Sequence, residues 1–97
     1  MTAPKTYRIP GRVVLRRIGE DRLLVPVSGV AARENGVFPI NETGEFMWNC
    51  LAQGRTPEET AAAVAAEFAV SPEDALSDCR EFAARLLAQR LIEEAPP

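Results

Sequence analysis

Val37-Phe38-Pro39-Ile40-Asn41-Glu42-Thr43-Gly44-Glu45-Phe46-Met47-Trp48 is the stretch in which the chain changes its period. Val37 to Ile40 reads as a short strand. Pro39 inside it marks an edge or a bulge, because proline cannot donate to a central ladder. From Asn41 onward the apolar residues Phe46, Met47, Cys50 and Leu51 recur at helical spacing. Asn41 suits an N-cap, and Glu42 in the first turn favours the helix dipole. A cap accounts for Asn41 fully, so it is not counted as a ligand contact. The chain thus divides here into a sheet-forming part and a helical part.

Upstream, Val13-Val14-Leu15 and Leu23-Leu24-Val25-Pro26-Val27 are two β-rich runs. Gly19-Glu20-Asp21 separates them as a turn, and Ser28-Gly29 ends the second. The residues up to Asn35-Gly36 fit neither period, although Asn-Gly is itself a turn signal. Downstream, Gly54 fits the end of the first helix. Thr56-Pro57-Glu58-Glu59 is a capping box, with Thr56 as cap, Pro57 at N1 and Glu59 reaching back. Ala61, Val64, Ala65 and Phe68 form the apolar face of the second helix. Ser71-Pro72-Glu73-Asp74 opens a third helix, which runs to about Gln89. Leu91-Ile92 fits a closing contact with the core, ahead of an acidic tail at Glu93-Glu94 expected to be solvated. Three strands followed by three helices read as one α+β domain over residues 1–97.

Composition narrows the function. With 46% hydrophobic and 26% charged residues the chain is globular. A net charge of −3 and a pI of about 5.0 argue against nucleic-acid binding. No apolar run approaches the roughly 20 residues of a membrane span. Met1-Thr2-Ala3-Pro4-Lys5 lacks the apolar stretch of a secretory signal, so a cytoplasmic address is expected. The chain has no histidine and two cysteines, Cys50 and Cys79. Two cysteines cannot supply the four ligands of a structural zinc site, and both fall within helical apolar patterns, as buried small hydrophobes do. There is no glycine-rich phosphate loop, no GxSxG elbow and no CxxC pair. The chain is therefore expected to be a binding module without catalytic residues, metal or cofactor.

Ile40-Asn41-Glu42-Thr43-Gly44 followed by Phe46-Met47-Trp48 resembles the LNExG–apolar–W signature of the PqqD family. Gly54 to Glu59 is similar to that family's G-x-T-x-E-E opening of a helix. Val70 to Glu73, and Asp78 to Phe82, continue the likeness, as does Leu24-Val25-Pro26-Val27 against an LVPV strand. The resemblance spans roughly Val13 to Ile92. It departs at Ile40, where leucine is usual, and at Pro39. It implies a winged helix-turn-helix with a three-stranded antiparallel sheet on three helices. It implies a RiPP recognition element, a peptide chaperone of ribosomally made and modified peptides. Such a chaperone binds a precursor's leader peptide as an added strand on the open edge of the third strand, beside the third helix. The implied contacts at that edge are Val37, Phe38, Pro39 and Ile40.

The third helix carries two apolar stripes. Ala75, Cys79, Phe82 and Leu86 suit the core. Leu76, Ala83 and Leu87, flanked by Arg80, suit either a groove or further core, and the resemblance tips this stripe toward the groove. Arg80 borders it, and Arg85 points away from it. Trp48, Phe46, Met47 and Phe68 are expected in or near the core. The leading function is a leader-binding adaptor that presents its cargo to a radical-SAM or other peptide-modifying enzyme. The alternatives are a winged-helix DNA-binding regulator and an assembly subunit without peptide ligand. An open sheet edge also permits a homodimer.

The geometry of Pro39 can be stated in advance. Val37 and Pro39 share one edge of their strand, and Phe38 and Ile40 the other. Proline lacks an N–H, so Val37 and Pro39 are expected to face the open edge.

Overall fold

The computed structural model describes residues 5–34 and 36–96, with the side chain of Glu34 left aside. The expectations placed on Met1 to Pro4 and on Asn35 therefore fall outside the described residues. The elements run β1 (Tyr7–Arg8), β2 (Arg12–Ile18), β3 (Asp21–Ser28), α1 (Val30–Glu34), β4 (Phe38–Ile40), α2 (Glu42–Ala52), α3 (Pro57–Phe68), α4 (Pro72–Ala88) and β5 (Glu93–Glu94). β2, β3 and β4 form an antiparallel sheet in that order, and β1 pairs antiparallel with β5. The α+β architecture and the three-stranded sheet agree with the sequence pattern.

Three features correct it. A fourth, five-residue helix, α1, fills the stretch before β4; it is too short to display a period. Glu93-Glu94 is not a free tail. It pairs with Tyr7-Arg8, and Arg8 Nε meets Glu93 Oε1 at 2.6 Å. The first strand is also longer than its apolar run, because Arg12, Arg16, Arg17 and Ile18 continue the pairing with β3.

The helix ends follow their local chemistry. Asn41 accepts from the Gly44 N–H at 2.8 Å. Thr56 and Glu59 complete the reciprocal capping box at 3.0 and 3.1 Å. Ser71 accepts from the Asp74 N–H at 3.1 Å. Gly54, at φ 89°, ends α2 in a Schellman motif: its N–H bonds Leu51 O, and Arg55 N–H bonds Cys50 O. Arg90 does the same after α4 at φ 60°, and this delivers Leu91 and Ile92 into the core.

The core lies between one face of the sheet and the helices. Leu24, Leu51, Val64, Cys79, Leu86 and Leu91 are fully buried. Met47 and Trp48 are buried beside them, while Phe46 and Phe68 are half-buried and stack edge-to-face at 5.4 Å. No helix among the described residues is long and apolar enough to cross a membrane.

Candidate functional site

β4 is an outer strand with β3 on one side, and no strand among the described residues pairs with its other side. Its register sets Phe38 opposite Leu24, Pro39 opposite Leu23, and Ile40 opposite Arg22. Pro39 cannot belong to a pair that exchanges two N–H···O bonds, because it has no N–H. The exchanging pairs are therefore Phe38–Leu24 and Ile40–Arg22. By alternation, the polar backbone groups of Val37 and Pro39 turn to the open edge.

A groove of about 700 Å³ lies along this edge. Its apolar lining comes from Ile40 of β4, Met47 of α2, Val64 and Phe68 of α3, Val70, and Phe82 of α4. Pro39 lies at its margin, and Asp78, Glu81 and Arg85 supply its charge. Phe38 and Phe82 meet edge-to-face at 6.3 Å, so the strand and the helix share an aromatic contact. The Arg85 guanidinium sits over the Phe38 ring at 5.2 Å, a cation–π contact. Convergent apolar side chains with a few charges, beside an unpaired strand, suit an extended peptide more than a small polar ligand.

The groove is held open by its neighbours. Gly44 lies in its wall, and a Cβ there would stand 3.1 Å from the Ile40 Cβ. Any larger residue would push on β4, which accounts for the glycine in the Asn41-to-Gly44 segment. One residue on from it, the buried Glu45 ties α2 to the sheet. It accepts from Arg17 Nη2 and from Arg22 Nε, the latter at 2.6 Å. Arg17 and Arg22 lie directly opposite each other on β2 and β3. Two like charges so placed repel, and the shared carboxylate compensates them. The Arg17 hydrogen bond, more than any other contact, holds the Glu45 carboxyl below its ordinary pKa; burial opposes it and Arg22 adds to it.

The structure brings some of the expected residues together and separates others. Pro39 and Ile40 line the groove, Phe38 backs it, and Val37 is exposed beside it. Leu76, Arg80, Ala83 and Leu87 are not at the groove. Ala83 is buried, and Leu76 and Leu87 pack half-buried against the core. Arg80 reaches Glu58 of α3 at 3.5 Å, with both side chains largely exposed. The helical face at the groove is Asp78, Glu81, Phe82 and Arg85, so Arg85, expected to point away, is the arginine beside β4. A wheel gives the arc of apolar residues but not its rotation relative to the sheet. Here α4 needs its second stripe for its own packing. Glu45 carried no distinguishing sequence signal, since its partners lie 28 and 23 residues upstream.

Both cysteines are free and buried. Burial, with smaller effects from Asp78 and Cys50, pushes the Cys79 thiol up to about 11, so it stays protonated at neutral pH. Among the described residues no cluster of three or more metal-ligating side chains occurs.

Comparison with known proteins finds a family match and the same fold. The family model for coenzyme PQQ synthesis protein D (PqqD) matches residues 23–92. The structure of TbiB1 in complex with the TbiA(beta) leader peptide superposes with a TM-score of 0.72 at 26% identity, over 93% of this chain and 99% of that one. Lasso peptide synthetase B1 complexed with its leader peptide superposes at 0.73 and 17% identity, over 90% and 96%. No curated protein sequence matches the chain significantly.

Proposed function

The chain belongs to the PqqD family, and from that premise we propose that it is a leader-peptide-binding adaptor for the biosynthesis of a ribosomally made, modified peptide. The observation that carries this is the open edge of β4 set against the apolar groove of Ile40, Met47, Phe68 and Phe82. Both similar structures hold a leader peptide on the same fold.

In this reading the leader adds as a strand along Val37 to Ile40. It receives the Val37 N–H and the carbonyls of Val37 and Pro39. Its inward side chains fill the groove. Arg85 takes the part expected of Arg80, offering a guanidinium to a leader carboxylate or carbonyl. The adaptor needs no chemistry of its own. By holding the leader it raises the effective concentration of the precursor at a peptide-modifying enzyme, which we take to be a radical-SAM enzyme. We place this step in the cytoplasm, where the precursor is made. The DNA-binding alternative has no support in the comparisons, and the acidic Asp78 and Glu81 on α4 would repel a phosphate backbone.

Titration calorimetry of the whole chain with its precursor's leader tests this. The expected Kd lies between nanomolar and tens of micromolar, roughly −12 to −7 kcal/mol, without metal or cofactor. Absence of heat together with absence of NMR shifts at high peptide concentration would sink it.

A further inference from the structure

The charge in the groove comes from one face of α4. Asp78, Glu81 and Arg85 line it, three and four residues apart, beside the buried Phe82. Asp78 and Glu81 are neighbours on the helix surface, and like charges so placed repel. The ordinary uses of a helical carboxylate do not account for them. The favourable effect of the helix dipole fades within the first turn, which Glu73 and Asp74 already occupy. No lysine or arginine forms an ion pair with either carboxylate among the described residues. Arg80, between them in sequence, turns to α3 and meets Glu58 at 3.5 Å. Arg85 has the spacing to pair with Glu81, yet its guanidinium lies over the Phe38 ring. Two exposed carboxylates therefore face the groove with no cation of their own.

A strand laid along β4 covers this face of α4. A segment with only apolar side chains there would strip water from both carboxylates and return no partner, which is unfavourable. An acidic residue would meet like charge. A lysine or arginine would supply the missing cation, so the same pair attracts one kind of segment and rejects the others.

We propose that Asp78 and Glu81 are specificity-determining residues of the groove, and that the leader segment it takes carries a lysine or arginine two positions from its apolar anchor. This rests on the leader-binding reading and names the chemistry of the segment. The spacing follows from the two geometries. The anchor fills the space beside Phe82, and Asp78 lies one turn before it, about 6 Å along the helix axis. Two residues of an extended strand span about 6.6 Å, and residues two apart point to the same face. The anchor and the cation therefore enter the groove side by side, with the cation toward the start of α4.

The probe is a displayed library of random short peptides, selected against the whole chain, with NMR of the β4 amides to locate binding. Enriched peptides should share an apolar residue and a Lys or Arg two positions from it. Their affinity should fall as salt is raised. Asp78→Asn combined with Glu81→Gln should weaken a selected peptide about tenfold, the scale of a hydrogen bond to a charged group. Replacing the basic residue of that peptide by Gln should cost the same and leaves the protein untouched. The Gln peptide should then bind wild type and double variant within about twofold of each other. Glu58→Gln combined with Glu73→Gln removes equal charge away from the groove and should change affinity less than about twofold. Peptides that shift the β4 amides but show no basic preference at that spacing would overturn the proposal. So would an equal loss in the control variant, because net charge alone would then explain the selection. Failure of the leader-binding reading is distinct: no peptide is enriched, or the enriched ones leave the β4 amides unmoved.

Discussion

The two open edges of the sheet are protected in different ways, and the difference decides which one can receive a peptide. β2 is seven residues long and carries Arg12, Arg16 and Arg17, all exposed. A second strand approaching it meets the positive charges of Arg12 and Arg16, while Arg17 is bound to Glu45. β4 is three residues long, uncharged, and has a proline at its centre. It is guarded by brevity and by a missing donor, both recognised devices against edge pairing. β4 has beside it the groove of Ile40, Met47, Phe68 and Phe82, which can take the side chains of an incoming strand. An edge becomes a binding site when backbone groups and a side-chain receptacle coincide, and at β4 they do.

The largest expected effect comes from removing the receptacle. Phe82→Ala deletes the ring that meets Phe38 and lines the groove. It should cost about 3–5 kcal/mol of stability, as large-to-small changes of buried aromatics do. Denaturant unfolding measures this. Where the variant is still folded, leader binding should be lost. Retained full affinity would show that the edge binds by backbone alone, and the contrast with β2 would fail.

Glu45→Gln attacks the β2 side. It leaves Arg17 and Arg22 opposed without a shared carboxylate. Because Arg17 is largely exposed, the loss should be about 1–2 kcal/mol rather than the value for a fully buried pair. The folded-state pKa of Glu45 is depressed. Its contribution is therefore complete above the ordinary glutamate value of about 4.3 and is lost as pH falls below it toward the folded-state pKa. Wild-type and variant stability curves should converge in that acid window. Curves that stay parallel there would remove the carboxylate from the account.

A third pair of variants sets one arginine against another. Arg85→Glu should weaken leader binding by about 1–2 kcal/mol, since Arg85 lies over Phe38 at the groove. Arg80→Glu, on the α3 side of the helix, should change it less than about twofold, the scale of an exposed charge. The reverse order would place the leader on the other face of α4.

Pro39→Val has the smallest expected effect. It restores one donor to the open edge. Leader binding should tighten by about 0.5–1.5 kcal/mol, the net worth of one hydrogen bond. Self-association, followed by sedimentation, should rise with it, because the same donor serves any strand.

What the sequence revealed was mostly local. Asn41, Thr56 with Glu59, and Ser71 act within one helical turn, and each cap is where its residue type and spacing put it. The edge position of the Pro39 strand was legible because a missing N–H is a property of one residue. The rest depended on contacts between distant segments. β1 and β5 are two residues each and pair across 85 positions, as Arg8 and Glu93 do. No period exists in two residues. The choice between Arg80 and Arg85 depended on how α4 is rotated against β4, which a helical wheel does not fix. Glu45 had no local signal, because Arg17 and Arg22 reach it only through the folded hairpin.

Amide exchange along β4, measured with and without leader, tests the central claim most directly. The Phe38 and Ile40 amides bond to β3 and should be protected in both states. The Val37 amide faces the open edge and should exchange freely until leader is added, then become protected. An unchanged Val37 amide at saturating leader, with new protection on β2 instead, would contradict the account.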